Sequence, residues 1–174
     1  MDNRKQMLLQ SLMKVLEDYD DMEDIALQDA EAEGTSFKVL RATVTGFGVQ
    51  LLDAVVECVF MPIGNADEEL YFSLVLTLAD DLPAEHVDEL AAAVARVNYI
   101  LPGGCFAIGN ADKNLVYRYT LPMTASSDDT QLGKQMELAL DMGLVVAERF
   151  ASSLALVALG QMSVEEMFRT IQIR

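Results

Sequence analysis

At 174 residues the chain has the length of one domain, and a chain near that size buries about 70% of its unfolded surface, so a substantial core is available. With 52% hydrophobic residues it is too apolar for disorder, and no Pro, Ser or Gln tract reads as a linker to a second domain. A formal net charge of −16, from 28 acids against 12 bases, repels phosphate backbones and anionic lipid and argues against a nucleic-acid partner.

The opening stretch MDNRKQMLLQSLMKVLEDY lacks the apolar core and small-residue cleavage site of a signal peptide, so export is not expected. Leu8, Leu12, Val15 and Tyr19 recur at helical spacing and predict an amphipathic first helix. Between Lys14 and Lys38 there is no Lys or Arg, and Glu17, Asp18, Asp20, Asp21, Glu23, Asp24, Asp29, Glu31 and Glu33 accumulate there. This reads as a solvated, self-repelling face or loop, because the ordered acid spacing of a calcium loop is absent. Residues 1–34 are therefore expected to be a helical, acidic N-terminal segment.

From Ser36 the pattern alternates. SFKVLRATVT, LLDAVVECVFMPI and ELYFSLVLTLA predict three strands, the third with Leu70, Phe72, Leu74, Leu76 and Leu78 on one face. Its other face carries Tyr71, Ser73, Val75 and Thr77, neither charged nor fully polar. DDLPAEHVDEL opens a helix, with Pro83 at a favoured first-turn position. The buried face of that helix is expected to hold Val87, Leu90, Ala91, Val94, Val97, Asn98 and Leu101, and PGG ends it. CFAI and NLVYRYTLPM then form a second hairpin, with Tyr117, Tyr119 and Leu121 on one face and Arg118 on the other.

The pentapeptide IGNAD occurs twice, at Ile63 and at Ile108, each time between apolar runs. Asn and Asp accept turn backbones and can bond their own main chain, so the repeat reads as hairpin punctuation used twice rather than a ligand grip. A long helix follows, with Leu132, Met136, Leu140, Gly143, Ala147, Ala151, Leu154 and Ala158 on a broad face and Glu137, Asp141, Glu148 and Ser152 on a narrow polar stripe. Glu148 and Arg149 sit at the middle of its most apolar stretch, and a central Arg alone costs about 2.5–3.5 kcal/mol to insert into a bilayer, so a water-soluble core helix is expected. SVEE, with Ser163 and Glu166, is a capping box for a short last helix. The predicted fold is α+β, a single domain over residues 1–174 with an antiparallel sheet of about five strands: helix, three strands, helix, two strands, long helix, short helix.

Reaction chemistry is sparse. His86, the only histidine, has no nucleophile beside it in sequence and reads as a surface or edge residue. Cys58 alternates within an apolar strand and reads as core. Cys105 follows PGG and could be displayed on a tight turn, but no base or cation adjoins it in sequence, so a small buried strand residue is the preferred reading. With one His and two Cys at no short ligand spacing, neither a metal nor a cofactor is expected, and both thiols are expected to stay reduced in the cytoplasm. Asn98, a polar residue on an apolar helix face, is expected to satisfy backbone groups or a subunit contact.

The segment ARVNYILPGGCFAIGNADKNLVYRYTLPM and the helix ending LVALGQMSVEEMF resemble the YbjN family, whose fold is similar to that of type III secretion chaperones. The resemblance runs from about Ser36 to Phe168 and rests on element order, hydrophobic spacing, Asn98 late in its helix and the glycine before the next strand. It implies a small acidic bacterial protein of the cytoplasm, homodimeric, that binds proteins rather than catalysing a reaction. It carries no catalytic motif over to this chain.

Two classes of function follow. The first is a protein-binding module: a homodimeric regulator or adaptor, or alternatively a secretion-chaperone-like protein that holds an extended client segment. The apolar perimeter of the middle and long helices exceeds what one sheet covers, which independently suggests a dimer. A partner surface is expected at Tyr71, Ser73 and Val75 with Val55 and Val59 of the preceding strand, covered only in part by the first helix, and the acidic rim would favour basic client segments. Val94, Val97, Asn98 and Leu101 are expected in a dimer contact or the helix core. The second class, an enzyme using Cys105 as nucleophile, is the weaker reading.

Overall fold

The structure, a computed structural model, describes residues 2–32, 34–48, 52–63, 68–109 and 113–172. In chain order the elements are α1 (Asp2–Leu16), β1 (Met22–Ala32), β2 (Thr35–Phe47), β3 (Leu52–Met61), β4 (Glu69–Ala79), α2 (Val87–Ile100), β5 (Cys105–Ile108), β6 (Leu115–Thr124), α3 (Asp129–Ala158) and α4 (Val164–Gln172). The strands form one sheet in the order β1-β2-β3-β4-β6-β5, and every neighbouring pair is antiparallel. The protein is α+β, with a six-stranded sheet and four helices among the described residues.

The sixth strand, β1, is the departure from the expected five. It is drawn from the acid-rich stretch that reads as a loop, and its apolar signal is weak because its core-side face passes from Met22, Ile25 and Leu27 to the acids Asp29 and Glu31. Met22 is buried in the core and Ile25 and Leu27 pack against it, while Asp29 bonds Lys38 of β2 at 2.7 Å. The acids also guard this long edge against pairing with other strands.

One face of the sheet is the core. Leu27, Leu40, Cys58, Leu74 and Tyr119 stand opposite one another across five strands, and the neighbouring row runs Ala42, Val56, Leu76, Tyr117, Phe106. Leu70, Phe72, Leu74, Leu76 and Leu78 are all buried, as the alternation predicts, and each large apolar side chain so placed stabilises the fold by about 1.5–3 kcal/mol. Leu8, Leu9, Leu12 and Leu16 of α1, the apolar face of α2, the broad face of α3, and Met167 and Phe168 of α4 join the same cluster. The long helix lies close: a Cβ on Gly143 would stand 2.2 Å from Leu74 Cδ2, so only glycine permits this approach.

Local details follow sequence chemistry with two corrections. Pro83 precedes a short 3-10 turn (Ala84–His86) rather than sitting within α2, and Ala91 is exposed while Ala93 takes the buried place. The buried positions Leu90, Ala93, Val94 and Val97 follow the three-then-one-then-three spacing that the true start of the helix sets. The capping box is formed: Ser163 N–H donates to Glu166 Oε2 at 2.9 Å and Glu166 N–H to Ser163 Oγ at 3.3 Å. Both IGNAD segments join antiparallel partners, β3 to β4 and β5 to β6, and Gly109 N–H donates to Asn114 O at 2.9 Å. Gly64 to Asp67 and Asn110 to Asp112, which would decide the turn type, lie outside the described residues.

Candidate functional site

The second face of the sheet is built by the alternate residues of the same strands. Its central row runs Ala26, Arg41, Glu57, Val75, Arg118, Cys105 across all six strands. On one side lies the row Gln28, Val39, Val59, Ser73, Thr120, and on the other Thr43, Val55, Thr77, Val116, Ala107. Beyond Ser73, Tyr71 stands between Met61 and Pro122. These side chains are mostly half-buried, because β-branched neighbours shield one another on a pleated surface while the top of the face stays open.

The helices pack on the opposite face. Leu8, Leu9 and Leu12 bury α1 against the core, so the expected partial covering of Val55 and Val59 by the first helix is not what the fold does. No described helix lies over the open face. Tyr71, Val75, Val55 and Val59 are therefore brought together there on two adjacent strands, as expected. Ser73 is the exception: it is wholly buried, and its hydroxyl shares a hydrogen bond with Thr120 Oγ1 at 3.1 Å. It is too short to reach past Val59 and Val75.

Charge on this face is organised by strand register. Arg41 and Glu57 are direct neighbours, 3.9 Å apart, and Arg118 is exposed one strand beyond Val75. Such an exposed pair contributes at most about 1 kcal/mol, so its role is to set local polarity. Tyr71 Oη donates to Glu69, which raises the tyrosine pKa. The Arg41, Glu57, Arg118 row was not singled out from sequence. The alternation that places Arg118 opposite Tyr117 and Tyr119 would have located it had it been carried through β2 and β3.

The four positions expected in a dimer contact or the helix core lie along α2 and its C-terminal cap. Val94 and Val97 are buried, and Leu101 packs against the core at the helix end. Asn98 has a sharper task. Its Nδ2 donates to Phe106 O at 2.9 Å and its Oδ1 accepts from Phe106 N–H at 2.8 Å, so one side chain pairs with both backbone groups of the central residue of β5. This mimics a neighbouring strand and closes that edge of the sheet. The backbone role expected of Asn98 is the one it plays.

The cysteines diverge. Cys58 is wholly buried, and burial pushes its thiol up to about 12. Cys105 is exposed at the β5 edge opposite Arg118, which corrects the expectation of a buried strand residue. Gly104, at φ +69, reverses the chain just before it, and a Cβ there would meet Tyr117 Oη at 2.3 Å. His86 precedes α2 and packs on Gly160, whereas Cys105 follows α2, so the length of that helix, about 20 Å, separates the two. Among the described residues no three His, Cys, Asp or Glu side chains come together as metal ligands, and no helix is long and apolar enough to cross a membrane.

The fold and this surface define a class: a two-layer α+β domain with one sheet face packed under helices and the other open. Comparison with protein-family models, with curated proteins and with solved structures finds no match.

Proposed function

We propose that the chain is a non-enzymatic, cytoplasmic protein-binding module, a homodimeric regulator or adaptor of the YbjN type, whose open sheet face receives a segment of a partner protein. The observation that carries this is the uncovered surface of Val55, Val59, Tyr71 and Val75 on adjoining strands. No described helix covers this contiguous, partly exposed apolar surface, and uncovered apolar patches are features of interaction sites. Of the β1 acids, Glu23 stands on the open face beside Thr43, while Asp29 and Glu31 share the face of Leu27; together with the net charge of −16 they would speed the encounter with basic segments, an effect that salt screens. A secretion-chaperone-like role uses the same surface with an extended client.

The test replaces Tyr71 and Val75 with Asp. Circular dichroism and thermal melting establish that the fold persists, and capture of partners from a lysate of the source organism is measured across salt concentrations. Loss of capture by the folded variant is expected, as is weakening of wild-type capture by salt. Undiminished, salt-insensitive capture would remove this face from consideration. The exposure of Cys105 favours keeping the thiol-enzyme reading as the second one. Cys105→Ser separates the two, because the binding reading requires its partner capture to be unchanged.

A further inference from the structure

The outward face of α3 carries three large apolar side chains in water: Leu138 is 62% exposed, Met142 48% and Val145 68%. They are spaced by four and then three residues, and the same rhythm continues through Arg149 to Leu156. A single stripe in that rhythm is what two helices use to pack along a shallow left-handed seam. We propose that this stripe is the interface of a two-fold homodimer in which the two α3 helices run antiparallel about Met142. This rests on the dimeric part of the function proposed above and names the surface that closes it.

The stripe is complementary to itself in that orientation, which is what commits the site to a second copy. With Met142 on the axis, Leu138 lies across from Val145 of the second copy, and Lys134 comes opposite Glu148 of the second copy on each side. Asp141, nearest the axis, is turned toward α1 by the hydrogen bond it accepts from Tyr19 Oη at 2.5 Å, which draws it away from its own symmetry mate.

The flanks match as well. Met7 of α1, 53% exposed, stands beside Lys134 and Glu137. Between α3 and α4, beside Val145 and Leu156, runs a groove of about 420 Å³ closed by Met162 and Ile171. The antiparallel arrangement brings Met7 of one copy to the mouth of the groove of the other. A seam of α3 alone, about 45 Å long and 10 Å wide, falls short of the roughly 800 Å² per partner of a stable interface, and these flanks extend it toward that area.

The experiment measures mass by light scattering and sedimentation at about 50 μM, a concentration well above a micromolar Kd. Wild type is expected as a dimer. Met142→Glu, at an exposed position, places two carboxylates on the axis and is expected to weaken the dimer by about 100-fold or more without changing the melting of the protomer. Lys134→Glu is expected to weaken it, and adding Glu148→Lys to restore it. In a Cys105→Ser background, Met142→Cys should oxidise to a covalent dimer, whereas Val145→Cys should not, because only the first faces itself. A wild-type monomer overturns the dimer and this seam together. A wild-type dimer that Met142→Glu leaves intact, or that crosslinks through Val145→Cys and not Met142→Cys, overturns the seam while the dimeric reading stands.

Discussion

Asn98 offers the most quantitative check on how the sheet is closed. Asn98→Ala removes two hydrogen bonds, of 2.9 and 2.8 Å, from the backbone of Phe106, whose side chain is buried between Tyr117 and Phe150. Each bond is worth about 1 kcal/mol net, and each backbone group left unpaired away from water costs about 1–3 kcal/mol, so a total loss of about 2–4 kcal/mol is expected. For a chain of this length that lowers Tm by roughly 5–15 °C. The chain has no tryptophan, so urea unfolding is best followed by far-ultraviolet circular dichroism, with a lower midpoint and an unchanged m-value as the expected pattern. Asn98→Asp is the control, because only its protonated carboxyl can donate to Phe106 O. The folded-state pKa of that aspartate should lie above its unfolded value of about 3.9, so the stability it restores is complete below that pH and is lost as pH rises. A loss under about 0.5 kcal/mol in Asn98→Ala, with no pH dependence in Asn98→Asp, would show that water serves Phe106 equally well and would refute the edge-closing role.

Three further outcomes are expected. Gly143→Ala sets a methyl against Leu74 in a filled core and should cost about 1–3 kcal/mol despite the better helix propensity of alanine, and Leu74→Ala in the same chain should cost less than the sum of the two single changes. Alkali should unfold the protein through buried acids: the Cys58 thiol rises from 9.0 to about 12 and the Tyr117 hydroxyl from 10.0 to about 12, both chiefly by desolvation. The neutral forms favour the folded state, so this stability is complete below pH 9 and is lost as pH rises toward 12; Cys58→Ala should flatten the slope by about 1.4 kcal/mol per pH unit over that window. At the other end of the scale, backbone and side-chain hydrogen bonds from Ser163 lower the Glu166 pKa, so its contribution to α4 is present above the unfolded value and is lost in acid; Ser163→Ala, which keeps the backbone donor, should reduce that acid-dependent fraying of the helix in circular dichroism, and Glu166→Gln should abolish it.

Period-two and helical spacing revealed the elements that bury a full face. β4 and β5 have the bounds that alternation gives them, and the broad face of α3 is buried at every position the spacing selects, because a wholly apolar face leaves one orientation available. β1 escaped for the opposite reason. Its apolar face holds only Met22, Ile25 and Leu27, and Asp24, with φ of 51°, marks a bulge that sets Met22 out of step with the other two. Cys105 was misjudged because the face a four-residue strand presents is fixed by its neighbour: only the register with Arg118 turns it outward. The open-face residues of β3 and β4 were legible as a set but not as a row, since pairing across strands cannot be read from either strand alone.

The two candidate surfaces lie on opposite sides of the molecule, which has a consequence for how they would act together. The open sheet face belongs to one layer and the outward stripe of α3 to the other, so a dimer closed on α3 would turn both sheet faces away from its axis. Such a dimer would hold two equivalent, separated sites. A partner that repeats its recognition segment on a linker able to span them would gain from effective concentration without any new contact, whereas a partner with one segment would not. Salt separates the two surfaces further. Two chains of net charge −16 repel, so screening favours the dimer, while the same screening weakens the encounter of an acidic rim with a basic segment. A monomeric variant such as Met142→Glu should therefore bind a single-segment partner as wild type does and lose the avidity for a repeated one, which measurement of both affinities at two salt concentrations would show.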